Sequence, residues 1–338
     1  MALLRGLLKD GDRESSGRRE SMTVAITGAT GVVGGAVLRH LLADGQKVRA
    51  LVRSEKPLPA GVERAQGDVL DPASLRQAFD GATRVFHVAG INQMCSADPS
   101  YMERVNVDGT RNVADAAFEA GALLIHTSSA AVLGEGEGEI GDESTMPRGQ
   151  LPSRYAASKW RAEQLVTKIS GRQPVVIVNP SSVQGAGRAT GTGRLLLALM
   201  SGKLRTVVDT RISIVDIDDC AAGHLLAAER GVPGKRYILN SFSMTMQEAV
   251  SVIESVIAHP LRVSYVPAPL VRIAGAVVGG VFGLLGRVAP ICNESVQAIL
   301  HGHLYDGSKA SRELGLRYTP ADATLRRLRE WAQEEGLM

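Results

Sequence analysis

Short β-branched runs alternate along this chain with longer stretches whose apolar residues recur every three to four positions, the pattern of buried strands joined by amphipathic helices. The first such unit organises the rest. Val24-Ala25-Ile26 reads as a strand, breaks at Thr27-Gly28-Ala29-Thr30-Gly31-Val32-Val33-Gly34, and resumes as a helical pattern through Leu42. Glycines at 28, 31 and 34 let a backbone turn sharply, approach a pyrophosphate closely and pack a helix onto a sheet. The helix N-terminus then faces the phosphate charge. Gly28, Thr30, Gly31, Val32, Val33 and Gly34 are therefore candidate cofactor contacts.

Further units follow in order. Lys47 to Arg53 reads as a second strand ending in a basic residue. An acidic residue there would accept hydrogen bonds from ribose hydroxyls, whereas an arginine grips a 2′-phosphate. Arg53 with Ser54 favours NADP(H), with NAD(H) as the alternative. Asp68, at the end of the next strand, is positioned for an adenine amino group, and Asp71-Pro72 caps a helix through Phe79. The apolar strand 84–90 closes on Val88, Ala89 and Gly90, small enough to leave room for a cofactor. His87 within that strand reads as a satisfied core histidine rather than a catalytic one. A helix over 101–120 leads into strand 122–126 and then Thr127-Ser128-Ser129, hydroxyls at the strand end where open α/β sheets bind ligands.

Tyr155-Ala156-Ala157-Ser158-Lys159 opens the next helix, and a spacing of four puts phenol and ammonium on one face. A lysine close to a tyrosine lowers the phenol pKa toward working pH, as a general acid/base requires. Gly185 to Arg194 reads as a flexible loop whose Arg188 and Arg194 are candidate contacts for an acidic substrate. The segment Ile273–Gly286 holds no charge and is flanked by Arg272 and Arg287. It is too short to span a membrane and is expected to be a lid helix, with an interfacial, lipid-contacting helix as the alternative. The helix 321–336 packs one apolar face on the core.

Composition narrows the class. A net charge of +3 with 44% hydrophobic and 4% aromatic residues fits a globular protein with an aliphatic core and argues against nucleic acid. Cys95, Cys220 and Cys292 are far apart and without metal-ligand spacing, so reduced thiols, a cytoplasmic location and no metal are expected. Residues 1–21 lack a signal-peptide core and read as a mobile extension, with Met22 a candidate start of the folded chain.

Six of these motifs in order resemble an extended short-chain dehydrogenase/reductase of the NAD-dependent epimerase/dehydratase type, dihydroflavonol-4-reductase-like branch. They are Thr27–Gly34, Asp68-Val69, Val85–Gly90, Asn106–Thr110, Thr127–Ser129 and Tyr155–Lys159. The resemblance implies a doubly wound parallel sheet, the Rossmann fold, over 22–180 completed by strands from about 206–240. A smaller C-terminal substrate-binding lobe would occupy 181–338. It further implies that Ser129 polarises a substrate oxygen, Tyr155 exchanges a proton, and Lys159 also holds the nicotinamide ribose. Val69, Thr127, Pro180, Ser182 and Val183 join the cofactor contacts. Gln184 and Leu133 stand where family members often carry tyrosines, Gly90 where a second alanine is common. Gln184, Leu133 and Arg194 are thus expected at the substrate. The implied activity is hydride transfer to or from a carbonyl or secondary alcohol of an apolar small molecule. Rivals are a nucleotide-sugar epimerase or dehydratase with retained NAD, and a catalytically silent NADP(H)-binding regulator. Relatives imply a homodimer through the helices over 101–120 and 155–169.

Overall fold

The computed structural model describes residues 23–93, 95, 98–284 and 292–338. The proposed extension 1–21 and residues 285–286 of the apolar segment lie outside the described residues.

Seven strands form the central sheet: β1 (Thr23–Thr27), β2 (Lys47–Val52), β3 (Val62–Gln66), β4 (Ala82–His87), β5 (Leu123–Thr127), and, beyond a short β6 (Ile140–Gly141), β7 (Val175–Pro180) and a last strand over 236–239. Every pairing in it is parallel. Parallel strands need crossovers, and those here are α1 (Val32–Ala43), α2 (Pro72–Phe79), the continuous helical run α3 (Pro99–Glu103) to α4 (Gly109–Glu119) through a π turn, and α5 (Arg154–Ile169). Both faces are covered, which is why β1 and β7 are almost uninterrupted apolar runs. On one face Ala36, Val37 and Leu41 of α1 belong to the same core layer as Val178 and Tyr237; on the other Leu75, Phe79, Val113 and Val166 share a layer with Val85 and Leu124. Each such buried side chain contributes about 1.5–3 kcal/mol.

After β7 the chain leaves this sheet. β8 (Ser182–Gln184), α6 (Thr192–Met200), β9 (Thr206–Val208), β10 (Arg211–Asp216) and α7 (Ile217–Arg230) precede β11 (Arg236–Leu239). The strand order is β11-β7-β5-β4-β1-β2-β3. Of the strands expected from 206 to 240, only β11 joins it. β10 pairs instead with β8 and with β12 (Phe242–Thr245), while β9 pairs with β13 (Ser264–Val266). These strands, α8 (Met246–Ile257), α9 (Ala268–Leu284), α10 (Asn293–His301), β14 (Leu304–Tyr305) and α11 (Ala321–Glu334) build the second lobe. Its core gathers Leu196, Ile214, Ile253 and Leu328.

In α9, Gly275 lies against Val296 of α10, so close that a Cβ would come within 2.8 Å of its Cγ2. The opposite face leaves Leu270, Ile273 and Val277 about 60% exposed. Among the described residues no helix is long and apolar enough to cross a membrane.

The thiols depart from expectation. Cys95, after β4, and Cys292, at the N-cap of α10, form a disulfide across 197 residues, with Cα atoms 5.7 Å apart; only Cys220 is free, and it is buried. Spacing along the sequence carries no record of a contact made by tertiary folding.

Candidate active site

Strand order reverses between β4 and β1, so the crossovers diverge there and open a crevice at the carboxyl ends of the strands. It is a cleft of about 630 Å³ lined by Gly28, Thr30 to Gly34, Val69 and Val88 to Gly90, with Arg53, Ser54 and Lys56 at its outer end and Arg188 in its wall. Two glycines make it. Gly28 has φ +77°, and a Cβ there would fall 2.6 Å from the Ala89 nitrogen; a Cβ at Gly34 would fall 2.1 Å from the Gly28 carbonyl oxygen. Side chains cap α2, α5 and α7, from Asp71, Ser153 and Asp216, but none caps α1, whose first amides remain available to an anion. The cradle and the basic outer end fit a dinucleotide.

Asp68 accepts from the Leu70 amide and stands 3.7 Å from Arg53, whose guanidinium also donates to the Tyr101 hydroxyl. His87 is fully enclosed between the Thr27 and Thr110 hydroxyls, at 2.8 and 3.0 Å. Burial pulls its pKa down to about 3, so it is a neutral packing residue.

The cleft runs out at Gly90, where an added Cβ would be 3.7 Å from the Lys159 ammonium. There three side chains converge. Tyr155 and Lys159 sit one turn apart on α5, whose start is fixed by the Ser153 hydroxyl accepting from the Ala156 amide. Ser129 follows β5. Lys159 is 4% exposed and donates to the Thr127 carbonyl at 2.6 Å; burial lowers its pKa to about 8. The Tyr155 pKa is raised, because burial outweighs the Ser129 hydroxyl and the Arg188 charge that pull it down. Arg188 thus adds a charge that pulls this phenol down, while Lys159, one turn away, donates to the Thr127 carbonyl.

A polar network behind the trio escaped sequence reasoning. Asn179 donates to the Ser129 carbonyl and to Glu163, and Glu163 pairs with Arg236 at 3.0 Å, both nearly buried. Asn106 joins the Ile91 backbone to Ser158, tying the loop after β4 to α5. The Thr127 hydroxyl meets His224. The available signal was an inward Glu163 one turn beyond Lys159.

Other expected contacts lie elsewhere. Arg194 falls in the first turn of α6 and faces solvent, whereas Arg188 folds inward on a loop turned by Gly185 and Gly187, at φ +142° and +90°. Leu133 is fully buried with Ala130, Ile238 and Tyr305, a core residue rather than a substrate contact. Pro180 ends β7 and Ser182 and Val183 lie in β8, none of them among the residues lining the cleft. Gln184 is buried; its amide donates to Ser182 while its Oε1 lacks a partner.

Fold and site define a Rossmann-type NAD(P)-dependent oxidoreductase. The chain belongs to the NAD dependent epimerase/dehydratase family, which it matches over residues 24–239. It is 35% identical to a Synechocystis sp. protein called "Putative dihydroflavonol 4-reductase", over 92% of this chain and 94% of that one. It is 30% identical to sterol demethylase protein B of Methylococcus capsulatus, over 94% of this chain and 100% of the other. The crystal structure of gox2253 superimposes with a TM-score of 0.81 at 33% identity, covering 94% of this chain and 99% of that one.

Proposed function

We propose that this protein is an NADP(H)-dependent reductase of a carbonyl, or dehydrogenase of the corresponding secondary alcohol, on an apolar molecule of medium size. The observation that carries the cofactor preference is the basic outer end of the cleft, where Arg53 and Lys56 flank Ser54. A 2′-phosphate there gains charge-assisted hydrogen bonds that NAD(H) cannot make.

Bound in the cleft, the nicotinamide supplies or accepts the hydride. Gly28 to Gly34 and the first amides of α1 would hold the pyrophosphate. Ser129 donates a hydrogen bond to the substrate oxygen, and Tyr155 gives it a proton from the hydroxyl that faces Ser129. Lys159, anchored on the Thr127 carbonyl, would hold the nicotinamide ribose and supply a positive charge there. Arg188 holds down the phenol pKa against the burial that raises it. The apolar character of the substrate is supported by the exposed Leu270, Ile273 and Val277 face of α9, which suits contact with a lipid surface from which such a molecule is drawn. A homodimer through α3–α4 and α5 accompanies this reading.

NADPH oxidation across a panel of ketones, run beside Tyr155→Phe, tests it. Turnover dependent on Tyr155 is expected; turnover undiminished in Tyr155→Phe refutes the proton role. A nucleotide-sugar epimerase would turn over with no net change in cofactor. Tight NADPH binding with no turnover on any carbonyl would favour a catalytically silent regulator.

A further inference from the structure

Away from the dinucleotide cleft, a second cluster of chemically capable side chains gathers in the substrate lobe. Glu135 lies on the loop after Ser129, His301 ends α10, and His303 stands just before β14. The His-Gly-His order matters because Gly302 has φ +64°, a left-handed turn that ends the helix and brings both rings to one carboxylate. The ring centroids are 4.5 Å apart. Glu135 Oε1 is 2.5 Å from His303 Nδ1 and 3.5 Å from His301 Nε2, and one donor atom from each of the three lies within 4.8 Å of the others.

The cluster is sheltered and incompletely satisfied. Glu135 is 3% exposed, yet its Oε2 makes no hydrogen bond of good geometry, and His301 Nε2 reaches the carboxylate only as an ion pair at 3.5 Å. The buried Tyr305 ring stacks on His303, and its hydroxyl, also without a hydrogen bond of good geometry, faces the same carboxylate. Buried polar atoms normally make well-formed hydrogen bonds, and three that do not, gathered around one carboxylate, leave donor capacity for a ligand.

The donor set says which ligand. Two imidazoles and a carboxylate suit a divalent transition metal, whereas magnesium prefers an octahedral shell of oxygens. Zinc binds such donors at about 2.0–2.1 Å in a tetrahedron, placing neighbouring donor atoms about 3.3 Å apart. The His301–Glu135 spacing of 3.5 Å already meets that requirement. The His303–Glu135 contact has to open by under about 1 Å to meet it.

We propose that Glu135, His301 and His303 form a binding site for a divalent transition metal of the zinc type. Water completes the shell on the side where each imidazole keeps 20% exposure. The surrounding backbone is set for this: Ser213 donates to the His303 carbonyl, and the Asp306 amide to the Gly141 carbonyl. The site stands where β6 pairs with β14. The metal therefore clamps the loop that follows Ser129 to the chain leaving α10, and its role is to hold the substrate side of the active site in register.

The full chain, stripped with EDTA and dialysed, is titrated with cobalt(II) and then zinc(II). Expected are one equivalent of cobalt with tetrahedral visible bands and no thiolate charge-transfer band, displacement by one zinc, and a melting temperature raised by several degrees with zinc. In His301→Gln/His303→Gln the affinity falls at least 100-fold. Absence of saturable one-equivalent binding by the unaltered chain, a thiolate band, or unchanged binding by the double variant overturns the site. The unaltered chain alone decides the question if circular dichroism finds the double variant unfolded.

Discussion

Lys159 carries a charge in a place where folding resists it, and the resistance is measurable. Its ammonium is 4% exposed, and burial brings its pKa from an ordinary 10.5 to about 8. At roughly 1.4 kcal/mol per pH unit, the charged form at pH 7 costs the folded state about 3 kcal/mol relative to a neutral side chain. Lys159→Met removes that cost but leaves the Thr127 carbonyl without its donor, a loss of about 1–3 kcal/mol. The variant is therefore expected to be more stable at pH 7 by about 1 kcal/mol, while turnover is lost. The pH dependence is the sharper test. Below pH 8 both folded and unfolded states hold the lysine proton, and the penalty is complete. Between pH 8 and 10.5 the unfolded chain holds it while the folded chain does not, so stability of the unaltered protein rises with pH. By pH 9.5 that gain is about 2 kcal/mol, and Lys159→Met, lacking the group, does not share it. The advantage of the variant should vanish or reverse. Urea denaturation of both proteins at pH 7 and 9.5 reads this directly. A variant clearly less stable at pH 7, or a stability difference independent of pH over this interval, refutes the assignment of a strained, charged Lys159.

Arg53→Ala should weaken NADPH binding about 10- to 100-fold and leave NADH within a few-fold, read by fluorescence titration, because a charge-assisted pair is worth about 1.5–3 kcal/mol; equal losses for both cofactors would remove the phosphate role. Arg188→Met withdraws the charge that lowers the Tyr155 pKa. The phenol then keeps its proton to higher pH, and the alkaline fall of carbonyl reduction should move upward; an unmoved pH profile would sink this. Reduction of Cys95–Cys292, which closes a 197-residue separation, should cost on the order of 2–5 kcal/mol and lower the melting temperature by several degrees. Thiol titration of the unreduced, denatured protein should find one reactive group, Cys220. Tyr155→Phe should lower turnover by at least about 100-fold with NADPH affinity nearly unchanged.

The nucleotide turn could be read without coordinates because its requirements are local. Glycines at 28 and 34 are demanded by a backbone turn and by a contact within six residues, so their spacing alone encodes them. Tyr155 and Lys159 are legible for the same reason, one helical turn apart on α5. What stayed hidden depends on folding at a distance. Arg188 and Arg194 look equivalent in the sequence, and only the turns at Gly185 and Gly187 bring the first inward. Leu133 is expected at the substrate from the resemblance alone, yet it packs with Ile238 and Tyr305, over a hundred residues away. Glu135, His301 and His303 carry no sequence signature of their approach, because the two histidines reach the carboxylate across more than 160 residues, beside the β6–β14 pairing. The same blindness to long-range contact left Cys95 and Cys292 as two unrelated thiols.

The edge strand β11 gives the order of synthesis a physical consequence. It completes the central sheet beside β7, yet it is made only after β8, α6, β9, β10 and α7 have been threaded away into other layers. A nascent chain ending anywhere between 181 and 235 thus carries a β7 that is apolar over Val175–Val178, with an open hydrogen-bonding edge, the kind of surface on which strands of other chains dock. Chaperone dependence should concentrate in that window of translation, and a stop codon placed just before Arg236 should yield aggregate rather than a smaller nucleotide-binding protein.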